Sequence, residues 1–560
     1  MATIDQNTPR LAEAHNVDSG ETAVAPHPGS QQMPRWNVAE LPEAPQFKWR
    51  NVWQFLGPGL MMGGAAIGGG EWLMGPQVTA KFGGGLLWLA TLSILGQVLY
   101  NIEISRYTLY TGEPIFTGKF RTLPGPMFWA VLYLVFDVGT IFPYLASAAA
   151  TPLLTAYLGD VPDPKQYGGV LTALSVGVFL LALVPLIFGG KIYNSLKAIM
   201  TFKIVVVLGF LAFLAIFFSV PSTWAEIFTG FFKFGNVPTG QGNQIDNVFV
   251  ALWEGRSLPT INLAVAASLS ALVAISGNGG LSNTPISNYT RDQGWGMGAH
   301  VGAIPSLVGG QNIQLSHVGS VFLVDEKSLP RWRQWVRHLT RDQVMLWGPA
   351  CFFGLALPSM LSVQFLARGT ELQNSWAGSV MTAQAVGSKI GGAWLGPACR
   401  FMTLFCGFLV LAPTMASTID GFVRRWVDVF WTASKRLHSL DPSKIRYLYF
   451  GVLLGYAVLG LTMILTVNDP DTLVKIAGSI YNFALAFSCL HVVVINSVLL
   501  PKPLRPSWLV RALLTLTGVF FLTVAVIAAI DMTHKLKAKW GGPDKKVACS
   551  VELRRVELGV

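Results

Sequence analysis

The chain has 560 residues, of which 52% are hydrophobic and only 12% charged, where a soluble domain carries about 25% charged side chains. With a mean hydropathy of +0.49, this composition excludes a disordered, collagen-like or disulfide-framework chain. It also excludes a water-soluble multidomain enzyme, because too little polar side chain is present to cover a soluble surface.

The formal net charge of +11 implies no nucleic-acid partner, since Lys and Arg gather in the cytoplasmic loops of membrane proteins. Residues 1–50 are polar, lack an apolar run and are expected to form a disordered cytoplasmic tail. From 51 to 531, eleven apolar stretches of spanning length follow, at roughly 55–79, 84–105, 126–158, 168–189, 195–219, 262–289, 342–366, 395–423, 446–467, 472–499 and 508–531. A bilayer core admits only helices or closed barrels, and these continuous runs do not alternate as barrel strands do. The expected fold is therefore an all-α integral membrane protein of eleven transmembrane helices, partnered by the lipid bilayer and followed by a C-terminal tail at 532–560.

Loop charge orients it. One set of loops holds Lys119, Arg121, Lys191, Lys197, Arg331, Arg333, Arg337, Arg341, Arg424, Arg425, Lys435, Arg436, Lys444, Arg446, Lys502, Arg505 and Arg511. The opposite set holds only Lys81, Lys165, Lys233, Arg256, Arg368 and Lys389. This places the N-terminus in the cytoplasm and the C-terminus outside, against the pull of Lys535, Lys537, Lys539, Lys545 and Lys546 in the last tail. Residues 220–261 are expected to form an outer cap. Residues 291–341, which end in a Trp/Arg-rich amphipathic stretch, read as a structured connector, with an interfacial helix or gate as the functional alternative. The five cysteines include no CxxC pair and read as packed thiols.

Glycine placement is the informative anomaly. The first span contains Gly68-Gly69-Gly70-Glu71 near its middle, and the sixth contains Gly277-Asn278-Gly279-Gly280. An interior Gly costs about 1 kcal/mol relative to Ala, and an ionisable residue at mid-membrane roughly 2.5–3.5 kcal/mol. Close packing explains Gly63 and Gly64, but not polar groups beside glycine runs. Two broken helices at corresponding positions of two five-helix halves, 51–219 and 262–500, point to an inverted-repeat transporter, with helix eleven at 508–531 outside the repeat. Unwinding frees carbonyls on one half-helix and N–H groups on the other, which bind an ion or polar solute at the midplane.

Other polar residues lie within the spans. Asp137 reads either as a proton relay or as half of a structural pair. Glu103 and Arg106 share a helix face and are expected to pair, structurally or as a gate. Thr414, Ser417 and Thr418 could face an ion, although such hydroxyls more often bond the preceding turn. Gln97 and Asn101 share a face that could line the path, and His491 reads as a packing residue. There is no Walker A, HExxH or GxSxG motif, so neither an enzyme nor a resident cofactor is implied.

Gly57-Pro58-Gly59, the broken first span, Phe82-Gly83, Leu86-Leu87-Trp88 and the Ser417–Phe422 stretch resemble the NRAMP family of divalent-metal transporters over about residues 50–531. The resemblance implies a LeuT-like 5+5 inverted repeat with helices 1 and 6 broken at mid-membrane, and proton-coupled secondary transport. The family's metal-binding aspartate and asparagine fall here on Gly68 and Glu71. Its soft methionine falls on Gly277 and its histidine on Gly279. The carbonyl ligand would be Ala274, and a polar helix-ten ligand maps loosely to Asn482. Glu71 and Asn278 then remain as hard oxygen ligands, suited to Mg²⁺ or Mn²⁺ without selection against Mg²⁺.

Glu71, Asp137, Glu103 and Arg106 are the coupling or gate candidates. The alternative is a proton-coupled carrier of a small anion, bicarbonate or a carboxylate, held by the N–H groups of Gly68–Gly70 and Gly277–Gly280. In that case Glu71 would carry the proton.

Overall fold

Glycine and proline delimit the helices. The computed structural model describes residues 22–46, 57–188, 192–240, 242–304, 315–316, 318–433, 441, 444–467 and 469–540. Strands β1 (Thr22–Ala23) and β2 (Trp36–Val38) precede a split first span. This span consists of α1 (Pro58–Ala66), a π turn at Gly70–Met74, and α2 (Gly75–Phe82). Gly83 ends α2 at φ +64°, a left-handed backbone that favours glycine.

Next come α3 (Trp88–Thr111) and the short α4 (Ile115–Phe120). Helices α5 (Pro126–Ile141) and α6 (Tyr144–Leu158) meet at Pro143, and α7 (Pro164–Ile187) and α8 (Ile192–Phe218) follow. The connecting cap holds α9 (Pro221–Gly230), a hairpin of β3 (Asn236–Pro238) with β4 (Ile245–Asn247), and α10 (Val248–Trp253).

Another broken span follows, α11 (Ala266–Ile275) and α12 (Pro285–Asp292), joined through a 3-10 turn at Gly280–Asn283. After β5 (Ser320–Val321), the amphipathic α13 (Ser328–Asp342) runs through a π turn into α14 (Gly348–Phe365). Helices α15 (Ala383–Ile390), α16 (Leu395–Ala433), α17 (Ile445–Thr466), α18 (Pro470–Val498) and α19 (Trp508–Trp540) follow. Among the described residues, nine helical stretches are long and apolar enough to cross a membrane. The pair Pro58–Leu86 and Trp88–Thr111, bent by 97°, passes jointly as a tenth unit.

The half-helices lie inside. Helix α1 packs on α8, α14 and α16, while α11 packs on α18 and α19. Exposed Leu134 and Val135 on α5, Leu181 on α7, Val205 on α8, Leu454 on α17 and Leu516 on α19 present apolar faces outward, as lipid contact requires.

Several expectations need correction. Within the tail expected to be disordered, residues 22–46 are folded: β2 pairs in parallel with β5, and Trp36 and Leu41 are each 1% exposed. The Trp36 ring packs edge-on to Tyr110 at 6.0 Å and lies under the Arg121 guanidinium at 4.8 Å. Trp335 Nε1 donates to Pro42 O at 2.8 Å, so this segment straps α13. Residues 1–21 lie outside the described residues, as do Lys191, Lys435, Arg436, Lys545 and Lys546.

Arg424 and Arg425, expected in a loop, are buried within α16, which continues ten residues past the anticipated end at 423. Lys119 and Arg121 are also buried, on Ser488 and Glu113. Helix α19 extends beyond 531 to Trp540. The 220–261 segment packs on the turn after α2, where Asn236 Nδ2 donates to Gly85 O at 3.0 Å. Cys351, Cys399, Cys406 and Cys489 are buried free thiols.

Trp36→Ala should cost about 3 kcal/mol of packing at this strap and speed protease cleavage within 22–46. Limited proteolysis with mass spectrometry checks this, and an unchanged cleavage rate would contradict the strap.

Candidate functional site

The site is built where the two broken spans meet. Helix α1 stops at Ile67, whose N–H donates to Gly63 O at 3.2 Å. Helix α11 stops at Ser276, and Gly277, Gly279 and Gly280 follow at φ +131°, +73° and +53°. Those conformations are open to glycine and strained for other residues. The breaks touch through backbone, since an added Cβ on Gly70 would sit 1.8 Å from Ile275 O, and the second break folds tightly on itself, since one on Gly279 would sit 2.5 Å from Ala274 O.

Glu71 fastens the two breaks together. One carboxylate oxygen accepts the Gly68 N–H at 3.0 Å and the other accepts the Gly277 N–H at 3.0 Å. The side chain is fully buried, and bonds of this kind to a carboxylate are among the stronger ones. Gln97 from α3 braces the second break. Its Oε1 accepts from Gly279 N–H at 3.2 Å and Asn283 Nδ2 at 2.8 Å, and its Nε2 donates to Ser276 O at 3.2 Å.

Beside this junction lies a cavity of about 30 Å³, lined by Gly68–Gly70, Gly277, Asn278, Tyr144, Thr414, Ser417, Thr418, Arg425 and Tyr481, among others. It has room for a small ion or a few water molecules. Among the described residues, no acidic side chain lines it. Asn278 Nδ2 is buried against it without a hydrogen-bond partner. Added Cβ atoms would strike Thr414 Cγ2 from Gly68 and Tyr144 Cε2 from Gly69, both at 2.9 Å. The glycines therefore leave the lining walls room to approach the backbone. Among the described residues, no group of three or more His, Cys, Asp or Glu side chains could hold a metal ion.

Of the residues singled out from sequence, Gly68, Gly69, Gly70, Glu71, Ala274, Gly277 and Asn278 converge at the junction, Thr414, Ser417 and Thr418 line the cavity beside it, and Gln97 braces the second break. The following residues stand apart. Asn482 Nδ2 donates to Ser270 O and Oγ at 2.8 and 2.9 Å, and Asn482 does not line the cavity. Glu103 and Arg106 pair at 3.0 Å, with Asn496 also on Glu103. Asp137 is a structural clamp: it takes Arg425 Nε and Nη2 at 2.9 and 2.7 Å and Trp426 Nε1 at 3.0 Å, tying α5 to α16. His491 sits on Thr122 and Tyr133, and Asn101 on Gln343.

Two functional groups escaped the sequence. Arg425 was assigned to a loop, yet it borders the cavity and donates to Leu281 O at 3.2 Å. Lys203, in the middle of α8, is fully buried and reaches Val410 O at 3.0 Å and Thr414 Oγ1 at 2.5 Å. A second lysine six residues beyond Lys197, deeper inside the same 25-residue apolar run, was the available signal.

No family model matches the chain. A divalent metal cation transporter, MntH, of Staphylococcus saprophyticus is 27% identical over 206 residues, 36% of this chain and 42% of that protein, so the match spans less than half of that relative. An uncharacterized protein of Pasteurella multocida is 22% identical over 498 residues, covering 85% of this chain and 91% of that one. The metal transporter Nramp3 of Arabidopsis thaliana is 29% identical over 140 residues, 24% of this chain and 27% of that protein. A mutant of the manganese transporter of Eremococcus coleocola superposes with a TM-score of 0.57 over 93% of this chain and 95% of that one, at 13% identity, which shows a shared fold.

Gly70→Ala should abolish the folded junction, because its Cβ meets backbone that has no rotamer to yield. Gly177→Ala, in open space on α7, should change the melting temperature by no more than 2–4 °C, equivalent to about 1 kcal/mol. Asp137→Ala leaves Arg425 buried and unpaired and should cost about 3–5 kcal/mol. Fluorescence-detected melting of the detergent-solubilised variants ranks all three.

Proposed function

Because the chain is a divergent relative of the NRAMP transporters, a transporter family and not an enzyme family, we propose that it carries a small anion with a proton by alternating access. The scaffold is a multi-pass α-helical membrane protein with a LeuT-like fold. Nine described stretches, with the bent pair Pro58–Leu86 and Trp88–Thr111 as a tenth, have the length and hydropathy of a span, and the NRAMP resemblance supports reading that pair as two helices of an eleven-span, 5+5 plus α19 arrangement. The halves rock about the Gly68–Glu71 and Gly277–Gly280 breaks, and loop charge sets the N-terminus inside and the C-terminus outside.

The observation that carries this choice of cargo is the cavity lining. A hard divalent cation wants six or more oxygen ligands, carboxylates among them. Here the cavity presents an unpartnered amide donor from Asn278, Arg425 and several hydroxyls, and no carboxylate. The one carboxylate at the junction is already held by two backbone N–H groups. Those N–H groups, at two helix breaks, form an anion seat, and Glu71 fills it from within. Protonating Glu71 weakens its hold and frees the Gly68 and Gly277 N–H groups for an incoming anion. Proton and anion then enter together, and release of both lets Glu71 reoccupy the seat.

A divalent-metal cargo is the second reading. It is supported by the metal transporters among the relatives and by the oxygens of Glu71, Asn278 and Ala274 at the junction. A metal would first have to displace two N–H groups from Glu71.

Proteoliposomes with an internal pH dye separate the two. Bicarbonate or a small carboxylate should drive proton entry, and Glu71→Gln should reduce it at least tenfold while the protein still folds. Mn²⁺ uptake lost in Glu71→Gln, with no anion-driven proton entry, would establish the metal reading. In that case Mg²⁺ should compete within about tenfold, or ~1.4 kcal/mol, because Gly277 stands where a soft ligand would select.

A further inference from the structure

Helix α13 carries a charge pattern that the junction does not use. Trp332, Trp335, His338, Leu339 and Asp342 form its buried face. Arg333, Arg337 and Arg341 follow one another at four-residue spacing on the exposed face. Like charges at that spacing repel and disfavour the helix. The helix's own carboxylate, Asp342, does not relieve them, because it turns away to accept the Gly59 N–H at 2.6 Å.

A cavity of about 690 Å³ lies between this helix and residues 43–46 of the N-terminal strap. Lys327, Arg331, Arg337 and Arg341 line it. Glu43 is the one carboxylate among the described lining residues, and Arg331 already reaches it at 3.5 Å, with Glu40 at 2.5 Å. The lining thus holds more positive charge than its one carboxylate matches. Arg341 directly precedes the apolar run that begins at residue 342, so this end of the cavity stands at the edge of the membrane.

We propose that the cavity binds the phosphate headgroup of an anionic phospholipid between α13 and the strap. Guanidinium forks match phosphate oxygens in pairs, and a cavity of this volume encloses a group of headgroup size. The membrane edge selects lipid over a dissolved phosphate, because the bilayer presents headgroups there at high local concentration. Loop charge turns this face to the cytoplasm, where membranes carry their anionic lipid. The inference rests on that orientation and is independent of the cargo. A bound headgroup neutralises the arginine stripe and fastens the strap to α13.

Melting of purified protein in detergent micelles doped with phosphatidylglycerol or with phosphatidylcholine tests this. Phosphatidylglycerol should raise the melting temperature of wild type by about 4 °C over phosphatidylcholine, saturating with lipid concentration. It should also slow protease cleavage within 22–46 by about threefold, since cleavage follows local opening. Lys327→Gln/Arg337→Gln alters two exposed lining positions. It should melt like wild type in phosphatidylcholine and lose both responses, and Arg337→Gln alone should lose about half of each. Lys444→Gln/Lys502→Gln removes the same charge at exposed positions elsewhere and should keep both. Glycerol 1-phosphate, which carries the phosphate without the acyl chains, should produce neither.

Equal melting of wild type in the two lipids overturns the site, as does a response that survives Lys327→Gln/Arg337→Gln. A response lost to the same extent in Lys444→Gln/Lys502→Gln reports net charge and also overturns it. Glycerol 1-phosphate acting as strongly as the lipid, and failing on the same variant, overturns the lipid assignment in favour of a dissolved phosphate ligand. Micelles have no sides, so an inverted orientation in the membrane leaves every one of these readings unchanged and cannot be mistaken for failure of the site.

Discussion

The contact between Glu71 and the two helix breaks organises this molecule. A broken helix inside a bundle leaves backbone groups without partners, and each such group costs several kcal/mol away from water. Here one carboxylate satisfies an N–H on each break, so neither can rewind or separate without orphaning a charge. The glycines follow from this constraint. Gly70 passes so close to Ile275 that no side chain fits, and Gly277 and Gly279 adopt left-handed backbone to aim N–H groups inward. A carrier that must later pull the breaks apart has reason to join them through a group that a proton can switch off.

The remaining buried charges fall into two kinds. Arg425 is matched by Asp137, and Arg424 by Asp420 and Asp292, with Arg291 on Asp428. These are complete pairs that tie α16 to α5 and α12. Breaking one partner would be expensive, while the intact pair adds little net stability. Lys203 and Lys119 are the other kind, amines held by neutral oxygens. Pairs of the first kind hold the frame, and Glu71 marks where the two breaks are joined.

Much of this was legible from residue order. The apolar runs located the spans, because a bilayer forces continuous hydrophobic helices, and the glycine clusters located both breaks, because helices exclude such runs without cause. The pairing of Glu103 with Arg106 followed from three-residue spacing alone. What could not be read was depth and partnership. Arg424 and Arg425 look like a loop until α16 is seen to continue to Ala433, since a basic pair at the end of an apolar run normally marks the membrane surface. Asn482 looked like a ligand by count, but its amide turns to Ser270, a matter of side-chain direction that spacing does not encode. Trp36 escaped because a short polar stretch can still add a strand to a neighbour 280 residues away, as β2 does with β5.

By the resemblance to the NRAMP family, Gly68 stands where that family has an aspartate and Gly277 where it has a methionine, while Glu71 stands where it has an asparagine. In their place stand an exposed backbone and an Asn278 amide with a donor to spare. On the α16 side, Lys203 donates to Val410 O and Thr414 Oγ1. The carboxylate at 71 works in the opposite direction to the loss at 68 unless it is protonated, so an anion fits this site only together with a proton on Glu71. The absence of an acidic side chain from the described cavity lining and the spare amide donor of Asn278 are the physical reason for proposing that pair.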